Sequence, residues 1–273
     1  MANPHILRVM AGDVWAVGSV YEAYVGRWSR PVATEFVRWL AVPPATRWLD
    51  AGCGTGALTD AITANAAPAL VVGADMSLGF LKGPTVVNAD AAALPLATGE
   101  FGAVVSGLAL NFVPRPGDAI AEFARVAKPG ATVAAYVWDY TDGMQMMRWF
   151  WDAAREVDPA APDEGPRFPI CHPPALEAAW TAAGLGEVSV RPIEIPTVFT
   201  DFDDYWQPFL GGQGAAPAYL ARLDPDRQRA IRDRLENQLP RQADGTIALT
   251  AVAWAVRGLR VESGTNRADV RMA

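Results

Sequence analysis

The chain is poor in the residues on which disulfide-rich and zinc-binding proteins depend. Its 273 residues include only two cysteines and two histidines, too few for a disulfide framework or a dedicated zinc site. One cysteine, Cys53, lies within a glycine-rich loop, where a disulfide would distort the turn. We therefore expect no resident metal ion.

Lysine is scarce as well, with only Lys82 and Lys128, and the formal net charge is -7. General nucleic-acid binders and proteins of membrane surfaces need a basic face, so we expect neither kind of partner. No apolar run reaches the roughly 20 residues that span a bilayer, and the N-terminus lacks the pattern of a secretory signal. These absences predict a cytoplasmic protein and leave its oligomeric state open.

Short apolar runs alternate with helical patterns along most of the chain. Apolar residues make up 51% and charged residues 19% of the sequence, as is typical of a globular protein with a substantial core. Alternating strands and helices predict an open α/β sheet with right-handed crossovers. The predicted strands are 47–49, 69–74, 85–89, 101–106, 131–138, 188–199 and 247–256, and the predicted helices are 20–40, one from 56, 119–127, 174–183 and 218–239.

Polar or small residues follow the first five predicted strands, at Asp50, Asp75, Asp90, Ser106-Gly107 and Asp139. Ligands of open α/β sheets bind outside the carboxyl ends of the strands. Because the ends of parallel strands meet at one edge of the sheet, these residues predict a single ligand crevice.

The most informative loop is Trp48 to Thr59, in which glycine occupies positions 52, 54 and 56. Glycine lets the backbone approach a ligand closely. A dinucleotide site is the obvious alternative, since Gly52, Gly54 and Ala57 match its loose fingerprint. However, the Asp50 carboxylate would repel a pyrophosphate placed there. A ligand with an ammonium and a sulfonium group, and without phosphate, fits this acidic position better.

Two segments rich in aromatic residues and methionine interrupt the predicted sheet, at 141–173 and 200–243. We interpret them as a helical cap over the strand ends that lines a pocket for an apolar ligand, although the same residues can simply pack the cap onto the sheet. The predicted organisation is a helical segment 1–45, a core 46–140, the cap segments 141–173 and 200–243, further sheet 174–199 and 244–260, and a disordered tail 261–273.

The motif series resembles that of the class I S-adenosylmethionine-dependent methyltransferases, of the small-molecule, type 11-like group. Asp50-x-Gly52-x-Gly54-x-Gly56 is similar to their first motif, and Asp75 to their acid after the second strand. Segments 88–95, 106–113 and 125–131 resemble the later motifs, in order, so the likeness covers about residues 20–140. It implies a Rossmann-like, mostly parallel sheet of seven strands with the last strand antiparallel, and S-adenosylmethionine as cofactor.

The resemblance also implies roles for individual residues. Asp50 favours the ammonium group, Asp75 accepts hydrogen bonds from the ribose, and Asp90 accepts one from the adenine amino group. Arg27 either pairs with the cofactor carboxylate or is a solvated helix charge. The implied cofactor residues are Tyr24, Arg27, Asp50, Ala51, Gly52, Gly54, Asp75, Met76, Asp90, Ala91, Ser106 and Gly107.

The expected reaction is an in-line transfer of a methyl group to a small molecule or short peptide, with oxygen as the preferred acceptor atom. His172 and Asp139 are candidate bases, although His172 can instead cap a turn. The expected acceptor residues are Tyr21, Asn111, Trp138, Tyr205, Trp206, Phe209 and Gln213. Two alternatives stay open: an NAD(P)-dependent oxidoreductase and a non-methylating protein that binds S-adenosylmethionine.

Overall fold

A computed structural model describes residues 22–77, 79, 85–162, 164–212 and 214–262. Two of the expected acceptor residues, Tyr21 and Gln213, lie outside these ranges, as does nearly all of the predicted tail. Every helix among the described residues is too short or too polar to cross a membrane.

The described strands form one seven-stranded sheet in the order β3-β2-β1-β4-β5-β7-β6. Strands β1 to β5 pair in parallel, while β7 is antiparallel to both of its neighbours, β5 and β6. This confirms the predicted fold class. The strands are β1 Arg47–Ala51, β2 Leu70–Asp75, β3 Val86–Asn88, β4 Phe101–Gly107, β5 Ala127–Trp138, β6 Leu185–Phe199 and β7 Ile247–Arg260.

Helices cover both faces of this sheet, which explains why the central strands are apolar nearly throughout. Adjacent side chains of β1 point to opposite faces: Trp48 belongs to the core on one side and Leu49 to the core on the other. The helices are α1 Arg27–Leu40, which follows a π-helical turn Glu22–Gly26, α2 Ala57–Asn65, α3 Pro116–Val126, α4 Gln145–Val157, α5 Pro173–Ala182, α6 Phe202–Trp206, α7 Ala215–Leu220 and α8 Pro225–Gln238.

One predicted element was wrong. The helix expected over 218–239 is two helices, α7 and α8, separated by a turn. Pro225 has no N–H to donate and so starts α8 instead of continuing α7. The carboxylate of Asp224 accepts a hydrogen bond of 2.9 Å from the backbone N–H of Arg227, which caps the new helix.

The helices of the two predicted cap segments pack around a cluster of aromatic rings. Phe150 of α4 stacks on Phe209 with the ring centroids 4.6 Å apart. The buried hydroxyl of Tyr205 donates to the carbonyl of Met146 at 2.8 Å. These contacts join α4 to α6 and to the turn after it, and the cluster is continuous with the core on the Trp48 side of the sheet. The division of the chain into the predicted segments stays a prediction.

Candidate active site

A cavity of about 340 Å³ lies at the carboxyl ends of β1, β2 and β4. Its size lies within the range of small-molecule sites. The described residues that line it carry two carboxylates, Asp75 and Asp90, but no lysine or arginine. The wall consists of Ser29, residues 51–55, Ala57, Leu58, Asp75, Met76, residues 89–91 and 106–109, Phe112, Val113, Pro114 and Tyr136.

The glycine loop bends back over the end of β2. The N–H groups of Gly52 and Cys53 both donate to the carbonyl of Ala74, at 2.7 and 3.1 Å. Gly52 has a φ of 78°, and a Cβ atom there would meet the Cβ of Ala109 at 2.5 Å. Glycine is therefore required at position 52 for both the backbone conformation and the close approach to the segment after β4.

Asp50 lies beneath this loop as a fully buried carboxylate. Its Oδ2 accepts a hydrogen bond of 2.7 Å from the Thr59 hydroxyl of α2. Its Oδ1 has no partner among the described residues. Burial raises the pKa of Asp50 to about 7; the Thr59 hydrogen bond opposes this rise, and the nearby charge of Asp75 adds to it.

Asp75 holds the loop and the end of β2 together. Its Oδ2 accepts from the N–H of Gly54 at 2.9 Å, and its Oδ1 from the N–H of Ser77 at 2.8 Å. The side chain of Asn88 donates to the carbonyls of Asp75 and Met76, which ties β3 to the same place. A carboxylate has about four acceptor positions, so Asp75 retains acceptor capacity toward the pocket.

The far end of the pocket lies after β3. Asp90 accepts from the backbone N–H of Ala92 at 2.8 Å and borders the pocket together with Ala91. Met76 is 69% exposed and presents an apolar face there. Nine of the expected cofactor residues thus line one crevice: Ala51, Gly52, Gly54, Asp75, Met76, Asp90, Ala91, Ser106 and Gly107.

The loop beyond Asp90 is held by a pair of charged residues on α3. The guanidinium of Arg125 donates to the carbonyls of Leu94 and Leu96, at 3.0 and 2.9 Å. Glu122 accepts from the N–H of Leu94 at 3.0 Å and also bonds to Arg125. Arg125, the first residue of the motif segment 125–131, therefore fixes the loop beyond Asp90 without lining the pocket itself.

The thiol of Cys53 lines the pocket, but burial raises its pKa to about 12. A nucleophilic cysteine requires a lowered pKa. Cys53 is therefore part of the wall and has no nucleophilic role at neutral pH.

The structure places Arg27 away from the pocket wall. Its Nη1 lies 2.7 Å from a carboxylate oxygen of Asp204 in α6, and its guanidinium lies over the rings of Trp28 and Phe199. The sequence analysis considered a cofactor carboxylate or solvent as the surroundings of Arg27. The observed contact with Asp204 differs from both and joins α1 to the cap. Its pairing with a cofactor carboxylate stays a prediction.

The expected acceptor aromatics lie in the core of the cap. Tyr205, Trp206 and Phe209 are each at most 5% exposed and do not border the pocket. Their helical spacing reflects packing, which the sequence interpretation had left open as an alternative. Tyr24, Asn111 and Trp138 are also buried behind the wall.

The two candidate bases have local structural contacts. Asp139 Oδ1 accepts from the N–H groups of Thr141 and Asp142, at 3.0 and 3.3 Å, and so closes the turn after β5. The carbonyl of His172 accepts from Ala175 and Leu176 at the start of α5. Neither side chain borders the pocket, so a role as base stays a prediction without support from the pocket geometry.

Sequence reasoning missed several parts of the site. Thr59, the partner of Asp50, lies nine residues further along the chain, and its hydroxyl was one of many on predicted helices. Ser29 and Tyr136 enter the wall from α1 and β5, and only the packing of these elements brings them there. The described residues contain no group of three or more His, Cys, Asp and Glu side chains that could hold a metal ion.

Comparison with known proteins agrees with this geometry. Residues 49–135 match the model of the methyltransferase domain. A demethylmenaquinone methyltransferase of Roseiflexus sp. is 32% identical over 174 residues, which are 56% of this chain and 73% of that one. The chain belongs to the class I S-adenosylmethionine-dependent methyltransferases.

Other methyltransferases are similar over shorter stretches or in fold alone. A malonyl-[acyl-carrier protein] O-methyltransferase of Methylococcus capsulatus is 34% identical over 108 residues, 36% of this chain and 39% of that one. An S-adenosylmethionine-dependent methyltransferase of Thermotoga maritima has the same fold, with a TM-score of 0.54, 16% identity and coverage of 92% and 99%. The match spans between a third and a half of the length of the first curated relatives.

The close approach at Gly52 gives a test of the methyltransferase loop. Gly52→Ala should lower the free energy of unfolding by more than Gly54→Ala. Both positions have a positive φ, which costs an L-residue about 1–2 kcal/mol. A Cβ at Gly54 meets no atom within 4 Å, whereas a Cβ at Gly52 overlaps Ala109 and adds about 1–3 kcal/mol. Urea unfolding of both variants without ligand measures this; equal losses would contradict the packing described.

The buried Asp50 predicts a pH-dependent stability. Its pKa is raised in the folded state from 3.8 to about 7, so the stability associated with its protonated form is complete below pH 4 and is lost as the pH rises to 7. Asp50→Asn should therefore become progressively more stable than the unchanged protein over this range, by a difference on the order of 4 kcal/mol at 1.36 kcal/mol per pKa unit.

Urea unfolding of the ligand-free proteins from pH 4 to 8 measures this difference. The matched control is Asp60→Asn, which changes an exposed carboxylate on the neighbouring helix. A stability difference for Asp50→Asn that stays constant with pH would show that the carboxylate is not held in a buried, unfavourable position.

Proposed function

We propose that the chain binds S-adenosylmethionine in this crevice and transfers its methyl group to an oxygen atom of a small molecule or short peptide. The observation that carries the proposal is the combination of a buried carboxylate beneath the glycine loop, with one oxygen unpartnered in the described chain, and a described wall without lysine or arginine. Such a site favours a cationic ligand and disfavours phosphates. It therefore supports S-adenosylmethionine over a nicotinamide dinucleotide.

The residues present fit this cofactor. The unpartnered Oδ1 of Asp50 favours its ammonium group, directly or through water. The backbone of Gly52 and Gly54 permits close approach of the methionine part. Asp75 offers acceptor positions to the ribose hydroxyls, and Met76 an apolar face to the adenine.

S-adenosylmethionine supplies a methyl group on a positively charged sulfur that departs as a neutral thioether. The protein has to align the acceptor atom with that methyl group and keep water away. Leu108, Ala109 and Phe112 form the apolar wall after β4 that serves this purpose. Positioning of this kind supplies a large part of the rate without a strongly reactive side chain.

Oxygen as the acceptor atom is the finer part of the proposal. One relative is named an O-methyltransferase and the other a demethylmenaquinone methyltransferase. Their names therefore do not identify the acceptor atom of this chain. The described wall from Ser106 to Pro114 contains no carboxylate, histidine or lysine that would act as a base. An oxygen that ionises readily in water needs none.

The net charge of -7 supports an acceptor that diffuses freely over one held on nucleic acid or an anionic membrane. We accordingly propose a cytoplasmic enzyme acting on soluble molecules.

The expected result in calorimetry is one molecule of S-adenosylmethionine or S-adenosylhomocysteine bound per chain and no heat from NADH or NADPH. Cell extract supplied with cofactor that carries a deuterated methyl group should yield a labelled metabolite only when the protein is present, and mass spectrometry identifies it. The matched control is Asp60→Asn, which should bind and transfer normally because Asp60 lies on the outer side of α2.

The outcomes separate the alternatives. Absence of heat from either adenosyl compound in folded protein would end the proposal, and heat from a nicotinamide dinucleotide would favour an oxidoreductase. Tight binding of S-adenosylmethionine without any labelled product would favour a protein that binds the cofactor but does not methylate.

A further inference from the structure

Three polar side chains behind the pocket wall are buried without hydrogen-bond partners. Tyr24, Asn111 and Trp138, here called the polar trio, are 1%, 9% and 2% exposed. Within the described ranges nothing pairs with the Tyr24 hydroxyl, with either end of the Asn111 carboxamide, or with the Trp138 indole N–H. Each unpaired buried group costs about 1–3 kcal/mol, and native proteins keep few of them. These groups therefore retain hydrogen-bonding capacity that a ligand can use.

Each member of the polar trio is close in sequence to a residue that lines the pocket. Tyr24 lies in the turn that leads into α1, which contributes Ser29 to the wall. Asn111 follows β4 within the segment that forms the wall from 106 to 114, and Trp138 ends β5, which contributes Tyr136. The trio therefore belongs to the segments next to those that line the pocket, although none of its members borders the pocket itself.

Asn111 occupies the inner side of a short 3₁₀ helix, Leu110–Phe112. Successive residues of such a helix point in three directions. Leu110 enters the core that also contains Phe123 of α3, and Phe112 is 43% exposed at the pocket. The side chain of Asn111 points in the third direction.

Aromatic contacts bring the turns after β4 and β5 together. The ring of Phe112 is 5.5 Å from that of Phe168, and Phe168 is 5.0 Å from Tyr140. Because Tyr140 follows Trp138 by two residues, the segments that carry Asn111 and Trp138 are neighbours.

Tyr24 carries a buried hydroxyl in the turn before α1. Burial, followed by the nearby Glu164 and then by Tyr140 and Tyr205, raises the pKa of Tyr24 well above its usual value. Tyr24 is therefore a neutral hydroxyl at every pH of interest, able to donate and to accept. All three members of the trio are neutral groups with a hydrogen to donate.

These features restrict the chemistry of the acceptor. A carboxylate acceptor would find no cation on the wall, because no lysine or arginine lines the described pocket. Arg27 lies outside that wall, with its Nη1 on Asp204 and its Nε and Nη2 unpartnered among the described residues. An aliphatic alcohol would need a base, which the wall after β4 does not supply. A phenol also has to lose its proton, but with a pKa near 10 it can release that proton to water, and N–H donors to its oxygen favour the ionised form.

We infer that the polar trio binds the hydroxyl oxygen of an aromatic acceptor of the phenol class, with Asn111 as the residue that determines this specificity. The inference rests on the proposed methyl transfer. The carboxamide donates to the oxygen, the Trp138 indole provides a second donor, and Leu108 and Phe112 contact the aromatic body.

The test uses protein saturated with S-adenosylhomocysteine and three probes of one shape: 2-naphthol, naphthalene and 2-naphthoate. Calorimetry should show that 2-naphthol binds at least tenfold more tightly than either of the others. Asn111→Leu should remove that tenfold preference and leave the affinity for S-adenosylhomocysteine within twofold. Trp138→Phe should reduce the preference in the same direction, which guards against a local effect of a single substitution.

Thermal unfolding supplies a second measurement. Asn111→Leu should raise the melting temperature of the ligand-free protein, because it removes an unpaired polar group while keeping a similar volume. The matched control is Thr197→Val on the edge strand β6, where the Thr197 hydroxyl is also buried and unpartnered. Thr197→Val should leave the preference for 2-naphthol unchanged.

The outcomes distinguish this inference from the proposed function. If S-adenosylhomocysteine does not bind, the proposed function fails and the inference with it. If it binds but 2-naphthol shows no preference over naphthalene, or 2-naphthoate binds more tightly, or none of the probes binds, only the inference is overturned. Retention of the full preference by Asn111→Leu would also overturn it.

Discussion

The site depends on one buried carboxylate, Asp50, that is satisfied on one side only. Removing an ionised carboxyl group from water is costly unless hydrogen bonds or opposite charge compensate it. Here the Thr59 hydroxyl compensates Oδ2, while Oδ1 has no partner among the described residues. The fold therefore maintains an acidic position that a cationic ligand can complete, and the glycine loop above it leaves room for that ligand to approach.

The two ends of the pocket are built in different ways. At the cofactor end, backbone groups and carboxylates close to strand ends make the contacts, as in the bonds from Gly54 and Ser77 to Asp75. At the acceptor end, the polar groups of Tyr24 and Asn111 come from elements far apart in sequence and have no partners of their own in the described chain. The family match over residues 49–135 covers the first end and reaches Asn111 of the second, whereas Tyr24 and Trp138 lie outside it.

This difference explains what could be predicted from the sequence. The open α/β sheet followed from the alternation of strands and helices, and the crevice from strands that end in polar residues, since parallel strands bring such ends together. The acceptor side could not be predicted in this way. Tyr205 and Phe209 have the spacing and composition of a ligand pocket, yet they form the core of the cap, because an aromatic stripe looks the same in both settings. The break between α7 and α8 could have been recognised at Asp224-Pro225, where a capping residue precedes a proline.

The central claim is that the hydrogen bond from Thr59 lowers the pKa of the buried Asp50 enough for its ionised form to be available to a cationic ligand near pH 7. The most direct measurement is the affinity for S-adenosylmethionine between pH 6 and 9 in the unchanged protein, Thr59→Val and Thr59→Ser. Loss of the hydroxyl should raise the pKa of Asp50 further above about 7, because a hydrogen bond to the charged form is removed. Thr59→Val should then bind at least tenfold more weakly at pH 7 and recover toward pH 9, with Thr59→Ser close to the unchanged protein. Equal affinity of all three proteins across this range would contradict the account.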